Sequence, residues 1–174
     1  MFSNLKISLC LSIVPLLYGI VSLINYDLFC LFNCILTIGT IFMFFFVNKW
    51  LKLFSKKSYI FVLLFILFSV FGGRTLGAYE RINNWDKLLH FSSGFLLYQL
   101  GSEIFLKISK GKNIILRKMF SLFVALSGAG IWEIFEFVCD KIFKTTAQNN
   151  SLTDTMLDII MGTFGALISV FLIK

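Results

Sequence analysis

The sequence predicts an all-α integral membrane protein, a six-helix transmembrane bundle with both termini cytoplasmic. Three features lead there. Of the 174 residues, 58% are apolar and 22 are Phe, more than a water-soluble domain carries. The apolar residues run in continuous stretches close to the ~20 residues that a spanning helix needs, rather than alternating as barrel strands do. The basic residues fall between those stretches, where topology signals belong.

The first span is expected over residues 7–24. A single early Lys precedes it and no small-residue cleavage site follows, so it reads as a retained helix and not a signal peptide. Asn25, Tyr26 and Asp27 form a tight turn into the second span, 28–47. Residues 48–58 combine Lys49, Lys52, Lys56 and Lys57 with Trp50, Leu51, Leu53 and Phe54, a pattern that suggests a short segment lying on the lipid surface. The third span, 59–78, is interrupted by Gly72, Gly73 and Arg74, read as a helix break. A polar connection over 80–85 leads to the fourth span, 86–106. A second basic loop, 107–118, precedes the fifth span, 119–143. The polar stretch 144–153 precedes the sixth, 154–173. The whole reads as one transmembrane domain, 1–174. Cys10, Cys30, Cys34 and Cys139 show no disulfide framework. Cys30 and Cys34, one helical turn apart, read as small core residues or as a thiol pair able to hold a metal.

Charge sorts by side. With six spans, Lys6, Lys49, Lys52, Lys56, Lys57, Lys107, Lys110, Lys112, Arg117, Lys118 and Lys174 share the side of the termini, against Arg74, Arg81, Lys87, Lys141 and Lys144 opposite. The positive-inside rule then makes both termini cytoplasmic, in the plasma membrane. The same distribution explains the formal charge of +7 without a nucleic-acid partner. The acids sort the other way. Asp27, Glu80, Asp86, Asp140 and Asp154 fall at outer ends or in outer loops, and Glu133, Glu136 and Asp158 in outer halves of spans, with Glu103 alone toward the cytoplasm. At ~1.5 Å per residue, His90 lies ~6 Å below Asp86, and Asp158 ~6 Å below Asp154. Three helices thus bring ionisable groups to similar outer-leaflet depths.

Stripes of small residues continue from these groups. They are Asp86, His90, Ser93 or Gly94, Leu97 and Gly101; Ala125, Ala129 and Glu133; and Asp154, Asp158, Gly162, Gly165 or Ala166, and Ser169. Small residues let membrane helices approach closely, so the last three spans are expected to pack through these stripes and pool their acids. Within Ile131–Asp140, helical steps of three and four put Glu133, Glu136 and Asp140 in one narrow arc.

Asp86-Lys87-Leu88-Leu89-His90-Phe91, Trp132-Glu133-Ile134-Phe135-Glu136-Phe137, and Asp154-Thr155-Met156-Leu157-Asp158 with Gly165-Ala166 resemble the bacterial YjdF-like membrane-spanning family. More distantly they resemble VanZ-like proteins, which show a comparable D-K-x-x-H and an acid in the next helix. The likeness covers roughly the second half of the chain. Gly162 departs from the Asn of the VanZ-like pattern, which removes a polar contributor. VanZ-like proteins are associated with glycopeptide resistance, so the resemblance implies a place in the cell envelope and no particular reaction.

Asp86 and His90 are one helical turn apart, as are Asp154 and Asp158, a spacing that lets two side chains share a ligand. Asp86, His90, Glu133, Glu136, Asp154 and Asp158 are accordingly the candidate metal ligands. One imidazole among carboxylates suits Mn, Mg, Ca, or Zn with an open position. Such a metal would activate water against a phosphate or acyl ester, and without one His90 beside an acid would act as general base. His90, Glu133 and Glu136 are therefore the candidate catalytic residues. Arg74, Arg81, Asp86, Trp132 and Asp140 are candidate binding residues, the arginines for anionic groups. Ser92 and Ser93 adjoin His90, but no G-x-S-x-G elbow is present.

Each of these residues has a plainer role open to it. Asp86 and Asp154 suit first-turn positions after the cap candidates Asn84 and Thr153. His90 reads equally as a core histidine, Trp132 as a belt residue, and Glu133, Glu136 and Asp158 as a structural network neutralised by Arg74 and Arg81. The leading reading is an outer-leaflet pocket that binds an envelope lipid or its headgroup, with a divalent cation and hydrolase or transferase chemistry. The alternatives are a proton- or cation-coupled transporter and a non-catalytic scaffold with a buried ionic network.

Overall fold

The structure is a computed structural model that describes residues 2–109 and 113–173. Lys110, Lys112 and Lys174, counted above among the cytoplasmic basic residues, lie outside the described residues. Every regular element described is helical: α1 (Phe2–Ile24), α2 (Leu28–Leu51), α3 (Lys56–Ile66) running straight into a π-helical segment (Leu67–Thr75), α4 (Ala78–Arg81), α5 (Trp85–Ser109), α6 (Ile114–Phe143) and α7 (Leu152–Leu172). Five helices are long and apolar enough to cross a membrane: α1, α2, α3 with its π extension, α6 and α7. The fourth expected span coincides with α5, a helix of 25 residues that His90, Ser92, Ser93, Gln99, Ser102 and Glu103 make too polar to join those five by composition alone. The chain divides into two compact units, Met1–Trp85 and Asp86–Lys174.

In the first unit the inward faces carry small and polar residues beside an apolar cluster of Ile41, Phe45, Tyr59 and Leu63. α1 buries Ser8, Ser12, Pro15, Gly19 and Ser22, and α2 buries Asn33, Cys34, Thr37, Ile41, Phe45 and Asn48. Leu17, Phe32 and Phe46 face outward. This arrangement is inside-out for water and correct for lipid, where apolar side chains gain nothing from leaving the solvent and small ones let backbones approach. The buried hydroxyls are hydrogen-bonded, two within their own helices and one between helices. Ser12 Oγ donates to the Ser8 carbonyl at 2.8 Å, Thr37 Oγ1 to the Asn33 carbonyl at 2.7 Å, and Ser8 Oγ and Tyr59 OH share a bond of 2.6 Å. Cys34 packs against Gly19, and all four cysteines are free.

The turn into α2 forms as expected, with Asp27 accepting from the Cys30 amide at 3.0 Å as its N-cap. That amide holds the Asp27 carboxyl below the usual carboxylate range. Its contribution is full above the ordinary carboxylate pKa and is lost as pH falls through the lowered one. Residues 48–58, expected as one short lipid-surface segment, are divided between the end of α2, a turn and the start of α3. α2 continues to Leu51 and ends at Lys52, in the left-handed conformation (φ 51°). Asn48 Oδ1 then accepts from the Phe54 amide at 3.2 Å, and Phe54 stacks on Phe44 with centroids 5.7 Å apart. A buried Asn folds the chain back where composition alone suggested a flat segment. The break expected at Gly72-Gly73 is instead the wider π-helical winding. There Gly73 lets the Tyr79 ring lie where a Cβ would be.

The second unit is organised by glycine contacts. A Cβ at Gly94 of α5 would run into the Gly162 carbonyl of α7, and one at Gly165 into the Phe91 carbonyl of α5. One at Gly162 would lie 3.2 Å from Ala129 Cβ on α6, and one at Gly101 3.0 Å from Ser121 Cα. The buried residues of α6 are Ser121, Ala125, Ala129 and Glu133, one every turn, and those of α7 are Asp158, Gly162, Gly165, Ala166 and Ser169. The small-residue stripes read from the sequence are thus the packing faces.

Residues 144–151 return from α6 to α7 under the control of Asp140. Its Oδ1 accepts from Thr145 Oγ1 at 2.5 Å and from the Ala147 amide at 2.8 Å, and its Oδ2 from the Gln148 amide at 3.0 Å. The N-cap of α7 is Ser151, whose Oγ accepts from the Asp154 amide at 3.3 Å, and not Thr153, which lies inside the helix. Asn84, the other expected cap, takes the left-handed conformation (φ 61°) and lacks the extended backbone of an N-cap.

Two outcomes follow for stability. Gly165→Val should lower unfolding stability in detergent by about 1–3 kcal/mol through overpacking, whereas Gly130→Ala, with nothing within 4 Å, should leave thermal unfolding unchanged or raised. Asp140→Ala should speed amide hydrogen exchange at Ala147 and Gln148 by at least about tenfold, the loss of a hydrogen bond to a charged acceptor being worth about 1.5–3 kcal/mol.

Candidate functional site

The site is built by the layer one turn beyond the glycine contacts. His90 precedes Gly94 by four residues, Glu133 follows Ala129 by four, and Asp158 precedes Gly162 by four. Because α6 runs against α5 and α7, the same one-turn step brings all three side chains to one level. They are 7%, 4% and 1% exposed respectively. His90 Nδ1 lies 3.7 Å from Glu133 Oε1, and His90 Nε2 lies 3.8 Å from Asp158 Oδ1 and 3.7 Å from Asp86 Oδ1. Asp154 joins through Lys87, whose ammonium is 2.6 Å from Asp154 Oδ1, 2.8 Å from Asp158 Oδ1 and 3.6 Å from Asp86 Oδ2.

Four carboxylates therefore share one ammonium and one imidazole. Glu133 Oε1 is buried with no hydrogen-bond donor, a state expensive for a carboxylate oxygen, while the equally buried Asp158 Oδ1 takes the Lys87 ammonium at 2.8 Å. The imidazole separations are too long for hydrogen bonds. They approach the ~3.0–3.5 Å between two ligands held ~2.1 Å from one ion at ordinary bond angles. Atoms of Asp86, His90 and Asp158 all lie within 4.8 Å of one another; the two aspartates face Nε2 of the imidazole and Glu133 faces Nδ1, on its other side.

Of the three acids expected in one arc of α6, only Glu133 enters this cluster. Glu136 is half-buried and accepts from Trp132 Nε1 at 2.8 Å, so these two predicted site residues pair with each other along the helix. Asp140 lies seven residues beyond Glu133, ~10 Å along the axis, and serves the returning loop. Arg74 and Arg81 belong to the first unit, at the ends of the π segment and of α4. Ser92 Oγ and Ser93 Oγ donate to the Leu88 and His90 carbonyls at 2.7 and 2.8 Å, so their protons are committed to the helix.

Three participants escaped the sequence reading. Lys87 was counted only as a topology charge, though it sits inside the Asp86-to-His90 turn. Gln148 Nε2 donates to the Glu133 carbonyl at 3.1 Å and to Glu133 Oε2 at 3.3 Å, and Asn149 Nδ2 donates to Asp154 Oδ2 at 2.8 Å. Their only advance signal was the polarity of 144–153 beside such apolar neighbours.

No solved structure matches the chain. An uncharacterized protein of Thermotoga maritima is 35% identical over 94 residues, an alignment covering 53% of this chain and 49% of that protein, so the match spans about half the length of the relative. The model of a family described as predicted membrane protein, DUF2238, matches residues 6–174. That span runs through all the described membrane-capable helices and every residue of the cluster, and it is the YjdF-like family that the motifs resembled. The chain belongs to the DUF2238 family of predicted membrane proteins.

Proposed function

We propose that the protein is a multi-pass protein of the bacterial plasma membrane whose second unit binds a divalent cation between Asp86, His90 and Asp158, with Glu133 holding the far nitrogen of the imidazole. The cation would serve to hold an anionic headgroup of an envelope lipid. The observation that carries this reading is the gathering of ligand atoms of Asp86, His90 and Asp158 within 4.8 Å of one another, beside the buried Glu133 Oε1 that has no donor. A mixed imidazole–carboxylate set suits Mn2+ or Zn2+. A cation held there would polarise a phosphate or acyl ester and lower the pKa of bound water, the basis for hydrolase or transferase chemistry. In that chemistry His90 and Glu133 hold the site, and Glu136 with Trp132 offers a polar pair on the outer face of α6. The proposal includes α5 as a sixth span, with both termini cytoplasmic and the cluster in the outer leaflet. It also includes the more distant likeness to VanZ-like proteins, which supports an envelope role.

A second reading has one observation in its favour. Lys87 already pairs with Asp154 and Asp158, as it would in a purely structural ionic lock. A transporter reading is less well supported, because Gly94, Ala129 and Gly162 close the helices together one turn from the cluster.

Two measurements test the proposal. Purified without chelator, the full chain should retain about one Mn2+ or Zn2+, and His90→Ala or Glu133→Gln should weaken Mn2+ binding by at least about tenfold. A wild type that binds no more Mn2+ than those variants, while they lose thermal stability, establishes the ionic lock instead. With the four native cysteines replaced, a membrane-impermeant thiol reagent added to intact cells should label Asn149→Cys and spare Lys57→Cys. The reverse pattern overturns the topology.

A further inference from the structure

We infer that Lys87 is a tethered counter-cation that competes for the cluster's carboxylates and sets its affinity for a divalent ion, with Asp154 as the anchor that holds the lysine aside and not as a ligand. This rests on the cation reading above and adds two roles to it. The shared atom is Asp158 Oδ1, 2.8 Å from Lys87 Nζ and 3.8 Å from His90 Nε2. It belongs to the three-residue group whose ligand atoms lie within 4.8 Å of one another, and its side chain is buried. An ammonium in contact with that oxygen repels any divalent ion bound to the same oxygen.

The lysine has somewhere to go. Its closest contact is Asp154 Oδ1 at 2.6 Å, and the other oxygen of Asp154 is held by Asn149 at 2.8 Å. Asp154 is thereby fixed in orientation from both sides, one oxygen to the lysine and one to the returning loop. The flexible four-carbon stem of Lys87 lets the ammonium give up Asp158 while keeping Asp154. Uptake of a divalent ion would then proceed by exchange, one bound charge moving aside as another enters. The buried carboxylates would at no stage face one another without a cation.

The test is Mn2+ titration of the full chain in detergent, followed by the electron paramagnetic resonance signal of free Mn2+. Lys87→Met keeps the stem and removes the charge, and it should tighten binding by at least about tenfold, the scale of effect that groups beside a metal site exert. Lys87→Arg, whose planar fork grips two carboxylates at once, should weaken it. Asp154→Asn should weaken binding when Lys87 is present and have no effect in the Lys87→Met background, since a ligand would matter in both. Unchanged or weaker binding in Lys87→Met, or equal loss from Asp154→Asn in both backgrounds, overturns the inference while leaving the cation site standing. If Lys87→Met does not fold, tighter or unchanged binding in Lys87→Arg overturns it equally. Mn2+ binding by neither wild type nor Lys87→Met, above that of His90→Ala, overturns this inference and the cation reading together.

Discussion

A helix surrounded by lipid gains nothing by turning leucine inward, so what holds helices together must come from close backbone approach and from polar groups that have no other place to go. In the second unit both forces act one turn apart. Gly94, Ala129 and Gly162 bring three helices into contact, and the next layer carries His90, Glu133 and Asp158. The glycine layer fixes the separation of the helices, and that separation fixes the 3.7–3.8 Å between the imidazole and its flanking acids. A wider packing would admit water between them. With Ala at Gly94 or Gly165, the added Cβ would meet a carbonyl on the facing helix before the charged layer could assemble.

The cluster is over-supplied with acids for the cations it holds. One lysine and one histidine face four carboxylates, and the remaining donors are amides lent by the returning loop. Gln148 reaches Glu133 and Asn149 reaches Asp154. Those amides are placed by Asp140, which accepts three hydrogen bonds from the loop. Asp140 therefore acts on the site from outside it, through backbone geometry. An arrangement that leaves Glu133 Oε1 without a donor and gives one ammonium to three aspartates keeps a demand for positive charge that hydrogen bonds inside the unit do not meet.

The helical reading held because its signals are local. A run of apolar residues near spanning length and a stripe of small residues at steps of three and four each mark one helix without reference to any other. His90, Glu133 and Asp158 were legible as a group for the same reason, each being the ionisable member of its own stripe. The reading failed where a residue's role lies in one specific side-chain bond that periodicity does not mark. Residues 48–58 read as one short surface segment because Asn48 gives no hint that it will bond the Phe54 amide. Thr153 looked like a cap because composition does not show that the last helix begins two residues sooner, with Ser151 as its cap. Glu136 looked inward because its arc passes close to that of Glu133, but the Trp132 indole one turn away claims it.

Sequence by itself determined that the chain is helical and membrane-embedded, which faces of its last three helices pack, and which three ionisable residues lead those faces. These follow from hydrophobicity and helical period, which are properties of consecutive residues. Tertiary structure alone decided that Lys87 neutralises Asp154 and Asp158, that Gln148 and Asn149 close over the acids, and that Glu136 and Asp140 stand apart. The first of those outcomes turns on side-chain reach between segments up to 71 residues apart, and no local periodicity encodes a distance of that kind.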